Sequence, residues 1–371
     1  MTKTIRILYP MTGGDMGGSH IALTMLLKKL PSYIEPIIYL DQVGKFSNFL
    51  KNNNISYKLL QINKYISAKP GIIYNITTFF RNYCYIVTLL KQEKIDLIHV
   101  SDDALPVTFI FYAIIKNIPL IWHHHNVLPK SRLVVLAYFL SKNNIFVSKY
   151  LYSLARAKEG EIIYNPIEIS SSINNGNHQI QSNNNGFKIG FFSNLYTRKN
   201  PFVVINACKA LISKGYKISA YFFGDDREIT KKELKEMIKD LAGKELFYFY
   251  DFSHDAISYI KQMDVIVAPA FAESFGRVPI EAMSCKIPVI ANKDGGHKEI
   301  ITDQKTGLFF DANDANDLCE KIIFLINNQD IKEAIINNAY VEVMEKYDIE
   351  VHVQKILHFY NKVLNVKNIK S

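Results

Sequence analysis

The feature that most constrains this chain is a rhythm. Short apolar runs alternate with longer amphipathic stretches from residue 4 to about 165, and the alternation restarts near residue 187. The first series is "IRILYP", "PIIYL", "SYKLL", "IDLIHV", "IPLIWH", "NIFVS" and "EIIY"; the second is "FKIGFFS", "KISAYFF", "LFYFY", "DVIVAPA", "IPVIA" and "GLFF". Apolar runs this short read as strands buried on both faces, and amphipathic stretches such as 19–30, 73–93 and 131–142 read as the helices between them. Parallel strands need a crossover between neighbours, usually a helix, so the rhythm predicts an α/β fold with a doubly wound sheet in each half.

Between the two series lies "NPIEISSSINNGNHQIQSNNNG" (165–186), rich in Asn, Ser and Gly and poor in apolar residues. It reads as a linker. At 371 residues the chain exceeds what one core usually serves. The expected layout is a Rossmann-like domain over 1–165, a linker over 166–186 and a second Rossmann-like domain over 187–349. Helices are expected at about 314–327, 331–346 and 350–366, with the last segment, about 350–371, able to cross back to the first domain. Ligands of open α/β sheets bind beyond the carboxyl ends of the strands, so a cleft between two facing sheets is the expected site.

Several classes are disfavoured. No apolar run approaches the roughly eighteen residues of a spanning helix. The N-terminal apolar run reads as a strand, not a secretory signal. Cys84, Cys208, Cys285 and Cys319 form no C-x-x-C. They read as small buried hydrophobes in a reducing cytosol, not as a metal ribbon or disulfide framework. The net charge is +9, which suits nucleic acid, an anionic membrane face or a phosphorylated small molecule. No helix-turn-helix, zinc-finger or RNP pattern appears, so nucleic acid is not an expected partner.

The strand ends carry the candidate chemistry. In "TGGDMGGSHIALTMLLKKL" (12–30) glycines admit close backbone approach to a ligand, and a helix opens at Ser19 or His20. A helix N-terminus can hold phosphate. The pattern is not G-x-G-x-x-G, and Asp41 is the nearest acid to the end of the second strand, so a dinucleotide dehydrogenase is disfavoured. In "IWHHHNVLPKS" (121–131) successive side chains of an extended strand point to opposite sides, so three histidines cannot share one metal. One of His123 and His125 is expected to face the cleft and bond a substrate hydroxyl. In "FFSNLYTRKNP" (191–201) Arg198 and Lys199 precede Asn200-Pro201, an expected N-cap and N1 pair. Cations there would hold a diphosphate.

"FAESFGRVPIEAMSC" (271–285) places Glu273 on a loop at the end of a buried strand and Glu281 about a turn into the following helix. The backbone N–H groups of Phe275 and Gly276 point to an oxygen-rich ligand. Carboxylates accept hydrogen bonds from hydroxyls, while amides meet phosphate.

These segments together resemble a known family. "ESFGRVPIEAM" is similar to the E-x7-E signature of retaining glycosyltransferases of family 4, which have the GT-B fold of two Rossmann-like domains facing each other across a cleft. "CKIPVIANKDGGHKEIITDQKTGLFFDANDANDL" continues the resemblance, "IIYNPIE" resembles the interdomain Asn-Pro turn, and "MGGSH", "HHHN" and "SNLYTRKN" fall where the glycine loop, cleft histidine and basic diphosphate site belong. The resemblance implies that Gly17 and Gly18 present amides to the donor phosphate and that Lys199 grips the diphosphate. It implies that Glu273 contacts the transferring sugar, that Ser274, Phe275 and Gly276 line the sugar and phosphate, and that Glu281 holds the ribose hydroxyls. His125, before Asn126, is the preferred cleft histidine and His123 the second. One departure stands out: Ser193-Asn194-Leu195 replaces the family's frequent Gly-Arg-Leu, leaving Arg198 to substitute beside Asn194.

The activity implied is transfer of a sugar from a nucleoside diphosphate sugar with retention at the anomeric carbon. No cofactor and no metal ion is expected, in keeping with the lack of any Asp-x-Asp. The alternatives are a catalytically inactive nucleotide-sugar-binding protein of the same fold and a related sugar-nucleotide epimerase. The acceptor is expected to be a carbohydrate or lipid-linked carbohydrate, in bacterial cell-surface polysaccharide or lipopolysaccharide synthesis. The aromatic and basic segments 63–83 and 128–144 suit docking on the anionic inner face of the cytoplasmic membrane.

Overall fold

A computed structural model describes residues 4–14, 16–62, 64–66, 71–101, 104–127, 131–156, 159–168, 180, 186–253 and 255–365. The chain divides into two compact units, Met1–Pro166 with Ile349–Ser371, and Ile167–Asp348. Most of the linker expected at 166–186 lies outside the described residues, as do parts of the segments 63–83 and 128–144.

The first unit is built on seven strands: β1 (Ile5–Met11), β2 (Ile34–Leu40), β3 (Lys58–Leu59), β4 (Leu97–Val100), β5 (Leu120–His124), β6 (Asn143–Phe146) and β7 (Glu161–Ile162). Their order is β3-β2-β1-β4-β5-β6-β7, and every pairing is parallel. Successive side chains of β1 serve opposite faces, as the pleat requires. Ile7 and Tyr9 join a core with Leu23, Leu26, Phe46, Ile356 and Phe359. Leu8 joins a second core with Leu89, Phe109, Trp122 and Ala137. The chain's last described helix, Ile349–Leu364, belongs to this unit because Val353, Ile356, Phe359 and Tyr360 join the core that holds Ile7 and Tyr9 of β1 and Leu23 and Leu26 of the helix Gly18–Lys29. Each such large side chain contributes roughly 1.5–3 kcal/mol when fully buried, so packing holds the helix in place.

The second unit has six parallel strands: β8 (Phe187–Phe192), β9 (Ile218–Phe223), β10 (Phe247–Tyr250), β11 (Val265–Ala268), β12 (Val289–Asn292) and β13 (Leu308–Phe310). Their order is β10-β9-β8-β11-β12-β13. Aromatic rings are stacked in register across three of them. Phe192 stacks on Phe223 at 4.5 Å and Phe223 on Tyr250 at 4.7 Å. Such cross-strand pairs stabilise a sheet beyond its backbone ladder.

In each sheet the strand order reverses at one point. β1 has β2 on one side and β4 on the other; β8 has β9 on one side and β11 on the other. The crevice outside the carboxyl ends at such a switch is where doubly wound sheets take their ligands. The expected α/β fold, with two Rossmann-like domains, is the one observed.

The cysteines depart from expectation. Cys208 and Cys319 are buried, but Cys84 is exposed and Cys285 half-buried. Cys84 lies on the helix Ile72–Gln92, on a turn whose inward positions are taken by Asn82 and Ile86.

Candidate functional site

At the switch point of the second unit, the loops after β8 and β11 bring Lys199 and Glu273 together. Lys199 Nζ donates to Glu273 Oε2, and Arg198 Nη1 lies 3.5 Å from the same oxygen. The Lys199 and Glu273 side chains are 18% and 14% exposed, whereas that of Arg198 is 50% exposed. Burial works to raise the Glu273 pKa, but Lys199 first, then His297 and Arg198, outweigh it and hold the carboxyl below its ordinary range. Lys199 closes a short helical turn, Thr197–Lys199, and the helix Pro201–Ser213 follows. Asn200 sits at the N-cap position of that helix but does not cap it with its side chain. It adopts the left-handed conformation, and its Nδ2 donates to the Ala312 carbonyl at 2.6 Å.

The Glu273 loop is held from behind by the segment after β12. The Gly296 N–H donates to the Glu273 carbonyl at 2.7 Å, and the Ala272 N–H to Asp294 Oδ2 at 2.7 Å. Gly295 has φ +56°, and a side chain there would lie 2.5 Å from the Glu273 carbonyl oxygen, so the Gly-Gly pair is what lets the two loops touch. Gly276, at φ +105°, precedes the helix Arg277–Ser284, and a Cβ on it would meet His297 at 2.8 Å. Phe275 turns its ring into the interior against Tyr347 at 5.7 Å, and Ser274 is half-buried beside it. Glu281 is engaged by Arg277 of the same helix at 3.0 Å, both side chains largely covered.

Asn194, the departure from the family pattern, has a structural task. Its Oδ1 accepts the Asp225 N–H at 2.9 Å and so ties the end of β8 to the end of β9. Sequence reasoning did not single out Arg277, Asp294 or His297. For Asp294 and His297 the signal was their position flanking Gly295-Gly296.

The switch point of the first unit holds a different chemistry. Gly17 is the N-cap of the helix Gly18–Lys29, and its N–H is donated to His20 Nδ1 at 3.2 Å. Asp41, after β2, accepts the Gly13 N–H at 2.7 Å, so this acid shapes the glycine loop. On β5, His124 turns away from its neighbours: its ring stacks on Phe146 and its Nε2 bonds Asn144 Oδ1 at 3.0 Å. His123 and His125 lie on the other side, their ring centroids 4.3 Å apart. Both line a small cavity with Ser19, His99, Ser101 and His352. Burial lowers the pKa of His99 to about 3 and that of His124 to about 4, and carries His123 and His125 well below the ordinary value, so the rings are neutral. Partners as distant in sequence as His99 and His352 left no local signal. Among the described residues, no group of three or more His, Cys, Asp or Glu is arranged to hold a metal ion.

The chain is similar to known glycosyltransferases. Residues 174–342 match the family model described as glycosyl transferases group 1. That segment contains the Lys199–Glu273 pair, and the match supports a glycosyltransferase family. An uncharacterized glycosyltransferase of Methanocaldococcus jannaschii is 29% identical over 88% of this chain and 97% of its own. The O-antigen biosynthesis glycosyltransferase WclY of Escherichia coli is 30% identical over 51% of this chain and 52% of its own. Among solved structures, a glycosyltransferase of Rickettsia africae has a TM-score of 0.82 at 20% identity, covering 98% of this chain and all of that one. HepE of Anabaena, in complex with UDP and glucose, has a TM-score of 0.80 at 22% identity over 96% of this chain and all of its own. The two Rossmann-like units are those of the GT-B fold.

Proposed function

We propose that this protein is a retaining glycosyltransferase of family 4 that moves a sugar from a nucleoside diphosphate sugar to a carbohydrate or lipid-linked acceptor, in cell-surface polysaccharide or lipopolysaccharide synthesis. The observation that carries the reading is the Lys199–Glu273 pair at the β8/β11 switch point, inside the segment that matches the group 1 family. UDP is the first nucleotide to test, because HepE holds UDP and UDP-glucose. The polysaccharide setting draws on relatives such as WclY and the Staphylococcus aureus capsular glycosyltransferase CapM.

Chemically, the enzyme must offset the charge that builds on the departing diphosphate. Lys199 and Arg198 supply cations there, and the helix opening after Gly276 supplies N–H groups. Once a diphosphate takes Lys199, Glu273 is released to accept hydrogen bonds from the sugar hydroxyls, and Glu281 serves the ribose. The leaving phosphate oxygen takes the proton of the acceptor hydroxyl on the same face of the sugar, so the C–O bond to phosphate breaks as the bond to the acceptor forms. No protein nucleophile and no metal ion is assigned. His125, with His123 beside it, is assigned to orient a substrate hydroxyl, and Gly17 and Gly18 to approach the donor phosphate.

The test is a thermal-shift screen across nucleoside diphosphates and their sugars, followed by product analysis. A ligand bound by the native state alone raises Tm. The expected result is a shift with one nucleotide family, lost in Lys199→Ala, and release of nucleoside diphosphate that needs an acceptor and persists in a chelator. Inversion at the anomeric carbon, or activity that a chelator extinguishes, overturns the mechanism.

A further inference from the structure

We propose that the first unit docks on an anionic membrane surface through the exposed faces of the helices Ile72–Gln92, Ala104–Lys116 and Arg132–Leu140. Ten of the sixteen large apolar residues left exposed among the described residues lie on these three helices. The placement follows helical geometry. Ile73, Ile76, Phe80 and Tyr83 recur at the spacing of a single helix face, while Thr78, Asn82 and Ile86 fill the buried one. On Arg132–Leu140 the exposed set is Val135, Leu136, Phe139 and Leu140, and the buried set is Val134 and Ala137. Phe80 is 70% and Phe139 74% exposed. The three helices are neighbours, with Ala104–Lys116 packed against each of the others. Scattered exposed apolar residues need no explanation, but a contiguous field of them marks an interaction surface.

Charge selects the occupant. None of the three helices carries an Asp or Glu, whereas Arg81, Lys91, Lys116 and Arg132 lie on them, all exposed. Aromatic and aliphatic side chains with basic residues and no carboxylate fit the headgroup region of an anionic bilayer, where apolar groups enter the acyl boundary and cations stay with phosphate. A second copy fits poorly, because a two-fold contact would bring these same cations face to face. None of the described helices is long and apolar enough to cross a membrane, so the surface lies on the bilayer. This proposal goes beyond the glycosyltransferase reading and does not depend on it.

The experiment is sedimentation of the full chain with vesicles of phosphatidylglycerol and phosphatidylcholine, without any nucleotide, against vesicles of phosphatidylcholine alone. The expected result is binding that needs the anionic lipid and weakens with salt. The double variant Phe80→Ser, Phe139→Ser should reduce binding about tenfold or more, with its Tm and nucleotide-induced thermal shift retained, because both rings are exposed. Val341→Ser, on an exposed position of the second unit, should leave binding unchanged. Absence of binding by the unmodified chain, or binding unaltered in the double variant, overturns the proposal. So does concentration-dependent dimerisation that the double variant abolishes, which would assign the surface to a second copy. Because vesicle binding is read without donor or acceptor, its failure leaves the catalytic reading separately testable.

Discussion

His99 Nε2 lies 3.3 Å from His123 Nδ1, and this contact is the third link of a buried chain. Tyr9 Oη meets Tyr360 Oη at 2.9 Å, and Tyr360 Oη meets His99 Nδ1 at 2.6 Å. The chain has one satisfactory polarity. The Tyr9 hydroxyl is fully buried and, among the described residues, the Tyr360 oxygen is the acceptor within its reach; with Tyr9 donating there, Tyr360 donates to His99 Nδ1, and His99 Nε2–H to His123 Nδ1. The His123 proton is thereby placed on Nε2, a buried atom with no hydrogen-bond partner among the described residues, from which it can be donated to a ligand oxygen. Reversing the chain would strand the Tyr9 proton at a penalty of roughly 1–3 kcal/mol.

Nitrogen NMR of histidine-labelled protein checks this. His99 and His123 should both be pure Nε2–H tautomers. Tyr360→Phe removes the donor to His99 Nδ1, and His123 should then become a mixture of tautomers. A pure Nδ1–H form of His123 in the unmodified protein contradicts the polarity.

Lys199→Ala should leave the largely covered Glu273 carboxylate with only the exposed Arg198 as a nearby cation from the β8 loop. The expected loss is about 1–3 kcal/mol of stability, together with nucleotide binding. Because the folded pKa of Glu273 lies below its ordinary 4.5, its contribution is complete above that value and is lost as pH falls through the folded pKa. Denaturant titrations at stepped pH should show this acid loss diminished in Glu273→Gln.

The buried histidines titrate in the same direction for a different reason. His124 has a folded pKa of about 4 against 6.5 unfolded, because burial excludes its charged form. Its contribution is complete above pH 6.5 and falls progressively as pH drops toward 4. His124→Gln keeps a donor for Asn144 Oδ1 and cannot titrate, so its stability should fall less steeply across that window. A slope equal to that of the unmodified chain would assign the acid sensitivity to other groups.

Gly276→Ala tests the loop that carries Glu273. At φ +105° with His297 2.8 Å from the added methyl, the substitution should cost about 1–3 kcal/mol and weaken nucleotide binding together with Tm. Calorimetry and a nucleotide titration would read both effects. An unchanged Tm would show that the loop has freedom to relax.

Much of the architecture was legible from local pattern. Among the described residues the strands coincide with the apolar runs, most clearly for central strands such as β4 and β11, because a strand buried on both faces has no room for polar residues, and period and composition are local properties. Glu273 and Lys199 were legible as candidates because strand ends leave signatures in a few adjacent residues. Asn200 looked like a side-chain cap, and only the fold revealed that its amide is drawn to Ala312, 112 residues away.

Sequence by itself determined two parallel α/β units and which loops stand at their strand ends, since both follow from short-range periodicity. Tertiary structure alone decided the pairing of Lys199 with Glu273, the assembly of His99, His123, His125 and His352, and the exposed apolar face of the first unit. Those outcomes depend on which distant segments meet, and no local spacing encodes a hydrogen bond such as that between His99 and Tyr360, 261 residues apart.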